Sequence, residues 1–574
     1  MDHQKKGRAS SQPIYRVKAE RDVYIKMRDG VRLCVDIYRP DAEGKFPGLL
    51  AMGPYGKTTQ VRLYDPSIVA EAGDPDYIVP RGYAHVVADI RGAGKSEGEM
   101  RCFHSQKEQE DGYDLVEWIA LQPWCDGNVG MVGPSYFGMS QFLVAAQQPP
   151  HLKAIFGYDS PGDWYREGPY DGGCFSDYFP GMYRRAIVNR NTVSVMVKDT
   201  PPEKLEQLVK EKIEDPDIQT NSRHLLVLQH PWMNPPGFDV LLNSTDGPFY
   251  WERSPSTKYD KIKIPAYCGS GWYAYTYTHL AGAFRNFAGV KGPKKLLISG
   301  PFFRGPEHPL ALSWREYHEL CIRWYDYWLK GIDTGIMDEP PIRIFVMGVN
   351  KYRYENEWPL ARTKWAKFYL HPMGRLSTEP ETQAGEPDCF VQMPPTMTKV
   401  IQSLKYTTGP LVDPLEVTGP IALDLYAAID QEDTNWIAVL KDVAPDGSEV
   451  ELTRGWLKAS HRALDPEKSK PGQPYHTHKN PEPVKPGEII EYEIEVRPTS
   501  NVFKPGHRIQ LEICSLELPA AVVITEKGPM TSHLACSRTV MHKIYRNEKY
   551  QSYLLLPVIP ETIPSQWVAA GKLA

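Results

Sequence analysis

The chain has 574 residues, of which 41% are hydrophobic and 24% are charged, and its formal net charge at pH 7 is −5. This length is about four times that of a 150-residue domain, so a single small domain is excluded. The 66 basic residues do not outnumber the 71 acidic ones, so we expect no nucleic acid partner. No run approaches the roughly 18 apolar residues that a membrane helix needs, so we expect no membrane partner either.

The first residues and the nine cysteines indicate a cytoplasmic protein. The cysteines are odd in number and widely spaced, without a CxxC pair or a zinc spacing, which predicts free thiols in a reducing compartment. Residues 1–8 are basic and polar, and no apolar stretch follows them, so they are not a secretory signal. We predict a flexible N-terminal arm over residues 1–20.

The first part of the chain alternates short apolar runs with helical patterns. The strand-like runs are LLAM (49–52), YAHVVAD (83–89), VGMV (129–132) and AIF (154–156). Apolar residues at helical spacing mark residues 107–121 and 142–148 between them. This order predicts a mostly parallel sheet with helices on both faces, and we assign residues 21–161 to the first part of an α/β core.

The pattern changes over residues 162–255. This segment combines aromatic loops with a charged helix, predicted at 202–214, in which Glu206 and Lys210 have the favourable i,i+4 spacing. An inserted, mostly helical cap explains this interruption of the α/β pattern.

The α/β pattern then returns over residues 256–335. Strand-like runs lie at 264–268 and 295–299, and a long amphipathic helix is predicted at 314–330. We assign this segment to the second part of the α/β core.

The remaining residues, 336–574, contain strands of period two. Apolar residues alternate with glutamates or glutamine at Tyr492, Ile494 and Val496 and at Ile509, Leu511 and Ile513. Turn signals such as Pro445-Asp446-Gly447 recur between such runs, which is typical of half-buried antiparallel strands. We predict a jelly-roll β-sandwich that walls the active site and is a candidate surface for assembly into a homo-oligomer.

The most specific motif is GMVGPSYFG over residues 130–138, where a strand-like run meets a helical one. A serine on such a tight turn exposes its hydroxyl above the sheet, so we predict that Ser135 is a nucleophile. The backbone N–H of Tyr136 can then stabilise an oxyanion. The strict motif has glycine two residues after the serine, whereas here Phe137 takes that place and Gly138 follows. The alternative is a structural serine at a helix start.

With this motif the chain resembles the cocaine esterase and X-prolyl dipeptidyl aminopeptidase family of α/β hydrolases. The matching stretches are GPYGK (53–57), DIRGAGKSEGE (89–99), EWIALQPWCDGNVGMVGPSYFG (117–138), IP (264–265) leading to GWY (271–273), PPIRIFVMG (340–348), EWPLARTKWAKFYL (357–370) and VTGPIALDLYAAI (417–429). The resemblance implies an α/β-hydrolase fold with an inserted helical cap and a C-terminal jelly-roll domain. It also implies that Ser135 is the nucleophile and that the Tyr55 hydroxyl is a second oxyanion donor beside the Tyr136 N–H. The alternative for Tyr55 is an aromatic residue that packs under the cap.

The resemblance breaks down at the other two triad positions. The family's acid follows GWY, where this chain has Ala274, and its histidine ends a Gly-Pro-aromatic-x-His stretch, where this chain has Arg304. Arginine cannot act as a neutral base at pH 7, because its pKa exceeds about 12. We therefore predict an atypical or incomplete catalytic triad.

Neighbouring residues are candidates for the missing roles. We predict His308, beside Glu307, as a displaced base, against the alternative of a surface or merely hydrogen-bonded histidine. His279 is a second candidate for the base, and the alternative is that it packs on a helix face. Asp159 is a candidate for the carboxyl that orients the base, and the alternative is that it caps a turn. Arg304 is expected to bind an anionic or carbonyl group of a ligand, or to form a structural ion pair.

Aromatic residues around these positions predict a closed pocket for a small organic molecule. The expected substrate-binding residues are Trp272, Tyr273, Phe302, Phe303 and Arg304. We expect no metal, because there is no HExxH and no clustered His/Asp set. We expect no nucleotide or other cofactor, because GAGKS at 92–96 lacks the spacing of a phosphate loop.

Three functions remain open at this point. The first, taken as the primary prediction, is a hydrolase with a rebuilt triad that acts on an ester, an amide or another carbonyl group of a small molecule. The second is a non-hydrolytic isomerase, cyclase or lyase, because an oxyanion hole also stabilises an enolate or alkoxide. The third is a binding protein without catalytic activity.

Overall fold

The structure is a computed structural model that describes residues 10–61, 71–176, 191–274, 278–300, 312–517, 533–560 and 567–568. Within these ranges the chain forms two large β-sheets. One belongs to an α/β domain and the other to a β-sandwich, so the predicted fold class is confirmed.

The first sheet has eleven strands, and its central strands are parallel. In sheet order these are β1 (Val17–Lys26), β2 (Arg32–Pro40), β4 (Ala84–Asp89), β3 (Phe46–Gly53), β6 (Cys125–Met131), β7 (Leu152–Tyr158), β11 (Ala266–Gly271), β12 (Lys294–Ser299), β13 (Ile342–Val346), β14 (Lys351–Glu355) and β26 (Trp567–Val568). All pairings from β4 to β13 are parallel. Ligand sites in such sheets lie at the carboxyl ends of the parallel strands, so a ligand site is expected among the loops that follow β3, β6, β7, β11 and β12.

Helices pack on this sheet and form the cap. They are α1 (Pro75–Ile78), α2 (Gln106–Ala120), α3 (Tyr136–Gln147), α4 (Val195–Asp199), α5 (Pro202–Glu214), α6 (Pro216–Gln219), α7 (Ser222–Gln229), α8 (Pro235–Leu242), α9 (Pro248–Trp251), α10 (Thr278–Gly289) and α11 (Trp314–Lys330). Helices α4 to α9 lie in the predicted cap, whereas α2, α3, α10 and α11 contact strands of the first sheet. None of the described helices is both long and apolar enough to cross a membrane.

Two short strand pairs accompany the cap. They join β5 (Met100–Arg101) to β10 (Thr192–Val193) and β8 (Tyr170–Asp171) to β9 (Cys174–Phe175).

The second sheet forms the sandwich. Its strands are β15 (Lys364–His371), β16 (Arg375–Ser377), β17 (Asp388–Gln392), β18 (Ser403–Thr407), β19 (Leu415–Ile429), β20 (Asn435–Val443), β21 (Glu449–Lys458), β22 (Ile490–Phe503), β23 (Arg508–Cys514), β24 (Val540–Tyr545) and β25 (Tyr553–Ile559). The long strand β19 pairs with β22, β24 and β25, which brings the sheet back on itself. The side chains of Tyr492, Ile494 and Val496 are buried, as the alternation predicts.

Strands close to two of the predicted boundaries pair in the first sheet. Strand β1 begins at Val17, so residues 17–20 belong to the sheet rather than to an N-terminal arm. Strands β13 and β14, which follow the predicted boundary at residue 336, also pair in the first sheet. Strand β13 is buried at every position and shows no period of two.

A buried ion pair joins the α/β domain to the sandwich. Arg353 of β14 donates to both carboxylate oxygens of Glu416 of β19, at 2.8 and 2.6 Å. Its Nε also donates to Glu355 at 2.6 Å, and the Arg353 side chain is 0% exposed. The two sheets are therefore held together by a bidentate contact that water does not reach.

A second buried cluster joins the cap to the sandwich. His533 contacts Glu517 through Nδ1 at 2.8 Å and Asp171 of β8 through Nε2 at 3.2 Å. Arg497 of β22 donates to the same Asp171 at 2.8 Å. The cap segment around β8 is thus anchored to the sandwich through charged groups.

Candidate active site

The turn between β6 and α3 holds Ser135 in a strained backbone conformation. Ser135 has φ 61° and ψ −122°, in a region that residues other than glycine rarely adopt. Its N–H donates to the carbonyl of Tyr158 at 3.0 Å, and its own carbonyl accepts from Met139 at 2.9 Å. Such strain persists only where the surrounding structure enforces it, and it places the partly exposed Ser135 at the carboxyl end of β6.

Glycines make this turn possible. A Cβ on Gly133, whose φ is +112°, would lie 2.5 Å from the Cβ of Phe137 and 2.6 Å from the carbonyl oxygen of Glu71. A Cβ on Gly138 would lie 2.6 Å from the carbonyl oxygen of Tyr158. The strict motif places a glycine two residues after the serine. Here the glycine that the packing requires is Gly138, three residues after Ser135, where α3 contacts the end of β7.

Phe137 fits because the neighbouring strand gives it room. A Cβ on Gly53, the last residue of β3, would lie 2.5 Å from the Phe137 ring. The departure from the strict motif is thus accommodated by a glycine in β3.

Tyr136 and Tyr55 lie beside the nucleophile position. Tyr136 is the first residue of α3, where backbone N–H groups point beyond the end of the helix. Tyr55 follows β3, and its ring centroid lies 6.0 Å from that of Tyr136 and 6.2 Å from that of Phe137. The structure therefore places the Tyr55 ring beside Tyr136 and Phe137, the two residues that follow Ser135. The roles of Ser135 as nucleophile and of Tyr136 and Tyr55 as oxyanion donors stay predictions.

The loop that carries Tyr55 is anchored by Lys57, a role that the sequence analysis missed. The Lys57 N–H donates to Asp89 at 2.6 Å, and its buried Nζ donates to Asp22 at 2.7 Å and to Asp36 at 2.6 Å. Hydrogen bonds to these two carboxylates raise the pKa of Lys57 against the effect of burial, so the ammonium stays charged. The lysine in GPYGK was visible in the sequence, but its acidic partners come from distant strands.

The turn after β11 carries Trp272, Tyr273 and Ala274. The indole of Trp272 donates to the carbonyl of Phe345 at 2.6 Å, and Trp272 is 1% exposed. The Tyr273 hydroxyl donates to the carbonyl of Glu451 in the sandwich at 2.8 Å. Both side chains thus tie this turn to neighbouring elements, and their expected part in binding substrate stays a prediction. Ala274 supplies no carboxyl at the end of β11.

Asp159 lies next to the elbow, at the end of β7. It is 0% exposed, its φ is 49°, and its Oδ1 accepts from the Ser270 hydroxyl at 2.7 Å. The Ser135 N–H donates to the carbonyl of Tyr158, the residue before Asp159, so the backbone of Asp159 lies close to the turn that carries Ser135. Its proposed role in orienting a base is not tested by this contact.

Several predicted site residues lie outside the described residues. These are Phe302, Phe303, Arg304, Glu307 and His308. His279 is described, and it is buried on α10 with 2% exposure. Among the residues that the structure describes, no group of three or more His, Cys, Asp or Glu side chains is arranged to hold a metal ion.

Comparisons with known proteins agree with the two-part architecture. Residues 29–301 match the X-Pro dipeptidyl-peptidase (S15) family, and residues 334–555 match the X-Pro dipeptidyl-peptidase C-terminal non-catalytic domain. The chain is 28% identical over 588 residues to the cocaine esterase of Rhodococcus, a match that covers 94% of this chain and 98% of that protein.

Solved structures show the same fold. A CocE/NonD family hydrolase from Staphylococcus aureus matches with a TM-score of 0.75 and 24% identity, over 94% of this chain and 93% of the other. An α-amino acid ester hydrolase matches with a TM-score of 0.73 and 19% identity, over 96% and 98% of the two chains. On the two family matches and the full-length relative, the chain belongs to the hydrolase family that includes cocaine esterase and the X-Pro dipeptidyl-peptidases.

Proposed function

We propose that this enzyme hydrolyses an ester or amide bond of a small organic molecule, with Ser135 as the nucleophile. The observation that carries the proposal is the strained backbone of Ser135 at the carboxyl end of β6, tied to Tyr158. In this proposal the Ser135 oxygen attacks the carbonyl carbon, and the developing oxyanion lies between the Tyr136 N–H and the Tyr55 hydroxyl.

A base has to accept the proton that Ser135 loses and return it to the leaving group. In this proposal Ala274 and Arg304 occupy the positions at which the resemblance implies the acid and the base. We propose His308, four residues after Arg304, as the base, and Asp159 as the carboxyl that orients it. The buried position of Asp159 beside the elbow supports its part in the proposal.

A second candidate function is a non-hydrolytic reaction on a carbonyl compound. The absence of a carboxyl at Ala274 favours it, because without an acid and a base the serine is a weak nucleophile. In that case the two donors would stabilise an enolate or alkoxide during isomerisation, cyclisation or elimination.

Labelling with a fluorophosphonate probe tests the hydrolase proposal. We expect the wild type to be labelled at Ser135, Ser135→Ala to remain unlabelled, and the exposed-turn control Ser448→Ala to be labelled as the wild type is. With a panel of acyl esters and amides, Ser135→Ala should lower turnover by about 10⁴-fold.

Other outcomes distinguish the alternatives. An unlabelled Ser135 in the wild type, with an active related esterase as the positive control, would contradict the nucleophile. Turnover that Ser135→Ala slows only modestly would favour the non-hydrolytic reaction. Retention of a ligand without turnover would favour a binding protein.

A further inference from the structure

A buried polar cluster lies directly behind the proposed oxyanion donor. The Tyr136 hydroxyl lies 2.9 and 3.0 Å from the two carboxyl oxygens of Glu108 on α2, and the backbone N–H of His104 donates to it at 3.3 Å. The His104 ring stacks on the Tyr136 ring with the centroids 3.8 Å apart. The Ser140 hydroxyl donates to the Tyr136 carbonyl at 3.0 Å and lies 3.4 Å from the His104 Nδ1. Both ends of Tyr136 are therefore fixed.

Glu108 makes this contact instead of the one that its sequence position suggests. Ser105 caps the start of α2 by accepting from the Glu108 N–H, so the pair has the Ser-x-x-Glu spacing of a capping box. In that motif the glutamate would bond back to the serine N–H. Here its carboxyl contacts Tyr136 instead. The contact therefore replaces the local one that usually stabilises a helix start.

The backbone of the loop before α2 is strained at two residues, and one of them, His104, contacts Tyr136. Cys102 has φ 58° and His104 has φ 49°, both in the left-handed region that non-glycine residues rarely adopt. Strain of this kind persists only where the surrounding structure requires it. Its result is that the backbone N–H and the ring of His104 both face Tyr136.

Burial favours the neutral forms of Glu108 and His104. Burial raises the pKa of Glu108 to about 8 and lowers the pKa of His104 to about 3. The charge of Asp111, on the same helix, also raises the pKa of Glu108, whereas Arg91 lowers it, and these two residues pair with each other at 2.6 Å. A protonated carboxyl can both donate to and accept from the Tyr136 hydroxyl.

We propose that Glu108 is a positioning residue for the oxyanion site, which acts by holding the Tyr136 side chain so that the Tyr136 N–H keeps a fixed direction. The inference rests on the proposed function, in which that N–H stabilises the oxyanion. Glu108 itself touches neither substrate nor the reacting atoms. A donor that is displaced by a fraction of an ångström loses much of its effect on the transition state.

The rate of Ser135 phosphonylation by the fluorophosphonate probe tests this role, because the probe's phosphoryl oxygen also develops negative charge. We expect Glu108→Ala and Tyr136→Phe each to lower the maximal labelling rate by about 10- to 100-fold, with the probe concentration for half-maximal rate unchanged. Glu108→Gln should restore most of the rate, since its amide still bonds to the Tyr136 hydroxyl. The double variant Glu108→Ala/Tyr136→Phe should be no slower than the slower single variant.

Glu110→Ala is the matched control, because Glu110 lies on the same helix and pairs with Lys107 at the surface. It should label at the wild-type rate, and thermal unfolding should show that every compared variant is folded at the assay temperature. If Glu108→Ala is less stable but labels as fast as the wild type, the residue is only structural and the inference is wrong. If the wild type is not labelled at Ser135, the proposed function fails, and the inference fails with it.

Discussion

The backbone N–H of Ser135 and the carbonyl oxygen of Tyr158 form a 3.0 Å hydrogen bond that ties the turn between β6 and α3 to the end of the neighbouring strand β7. This bond fixes the height of α3 relative to the sheet. It also makes the shape of the elbow depend on how closely α3 approaches β7, and Gly138 is the residue at that contact.

Gly138→Ala should therefore disturb the elbow. The new Cβ would lie 2.6 Å from the Tyr158 carbonyl oxygen and 3.2 Å from the Ser160 Cβ, so α3 has to move away from β7. We expect a loss of stability of about 1–3 kcal/mol and a clear fall in the rate of Ser135 labelling. Gly409→Ala, where a Cβ meets nothing within 4 Å, is the control. Unchanged labelling in Gly138→Ala would show that the helix can shift without moving Ser135.

The buried pair of Arg353 and Glu416 should be costly to break. Arg353→Met leaves the Glu416 carboxylate buried without its bidentate partner, so we expect the free energy of unfolding to fall by about 3–5 kcal/mol. Adding Glu416→Gln should recover part of this loss, because the second substitution removes the buried charge. Breaking the exposed pair of Arg32 and Glu97 by Arg32→Met should leave the free energy of unfolding close to that of the wild type. Equal losses for the two arginine variants would contradict the buried pairing.

Buried neutral histidines should make the fold sensitive to acid. Burial is the main cause that lowers the pKa to about 3 in His85, His104, His476 and His542, to about 4 in His318 and His461, and well below its usual value in His478. Below about pH 6.5 the unfolded chain binds protons at these positions and the folded chain does not, so stability falls as the pH drops toward 4.

Urea unfolding at a series of pH values measures this effect. Between pH 6 and 4, His476→Gln should reduce the slope of the free energy of unfolding against pH by about 1.4 kcal/mol per pH unit, since one proton fewer is taken up on unfolding. The exposed-residue variant His230→Gln should leave the slope as in the wild type. Stability that stays level from pH 7 to pH 5 in the wild type would contradict the prediction.

His533 should act in the opposite direction. Burial alone would lower the pKa of His533, but the hydrogen bonds to Asp171 and Glu517 raise this pKa to about 9. The stability from this charged histidine is fully present below about pH 6.5 and is lost as the pH rises through 9. Each unit of the raised pKa is worth about 1.4 kcal/mol. We therefore expect the free energy of unfolding of His533→Gln to fall much less than that of the wild type between pH 6.5 and 9. A fall as large as in the wild type would contradict the role of this cluster.

The fold was predictable where the local signal was strong. The helix predicted over 314–330 has these bounds in the structure, because Ser313 and Glu316 form a capping box and Gly331, with φ 67°, ends it. The sheet to which β13 belongs was not predictable in the same way, because a fully buried strand has no alternation to mark it. Its place in the first sheet depends on its pairing with β12.

The site was predictable only in part. Ser135 and Tyr55 lie in motifs that carry their own signal. Asp159 was a candidate because it follows a predicted strand, although it also fits a residue that caps a turn. Glu108 carries no such signal, since in the sequence it looks like half of a helix cap. Their neighbours at the elbow come from elements far apart in the chain, and a single sequence does not reveal such proximity.

The strand Trp567–Val568 pairs with β14 at the edge of the first sheet, and the whole sandwich lies between the two in the chain. During synthesis on the ribosome, β14 therefore emerges long before the strand that covers it. Its outer hydrogen-bonding groups remain open to other chains in that interval. Cutting the chain after Ile559 would make this transient state permanent, and the shortened protein would be prone to associate through β14.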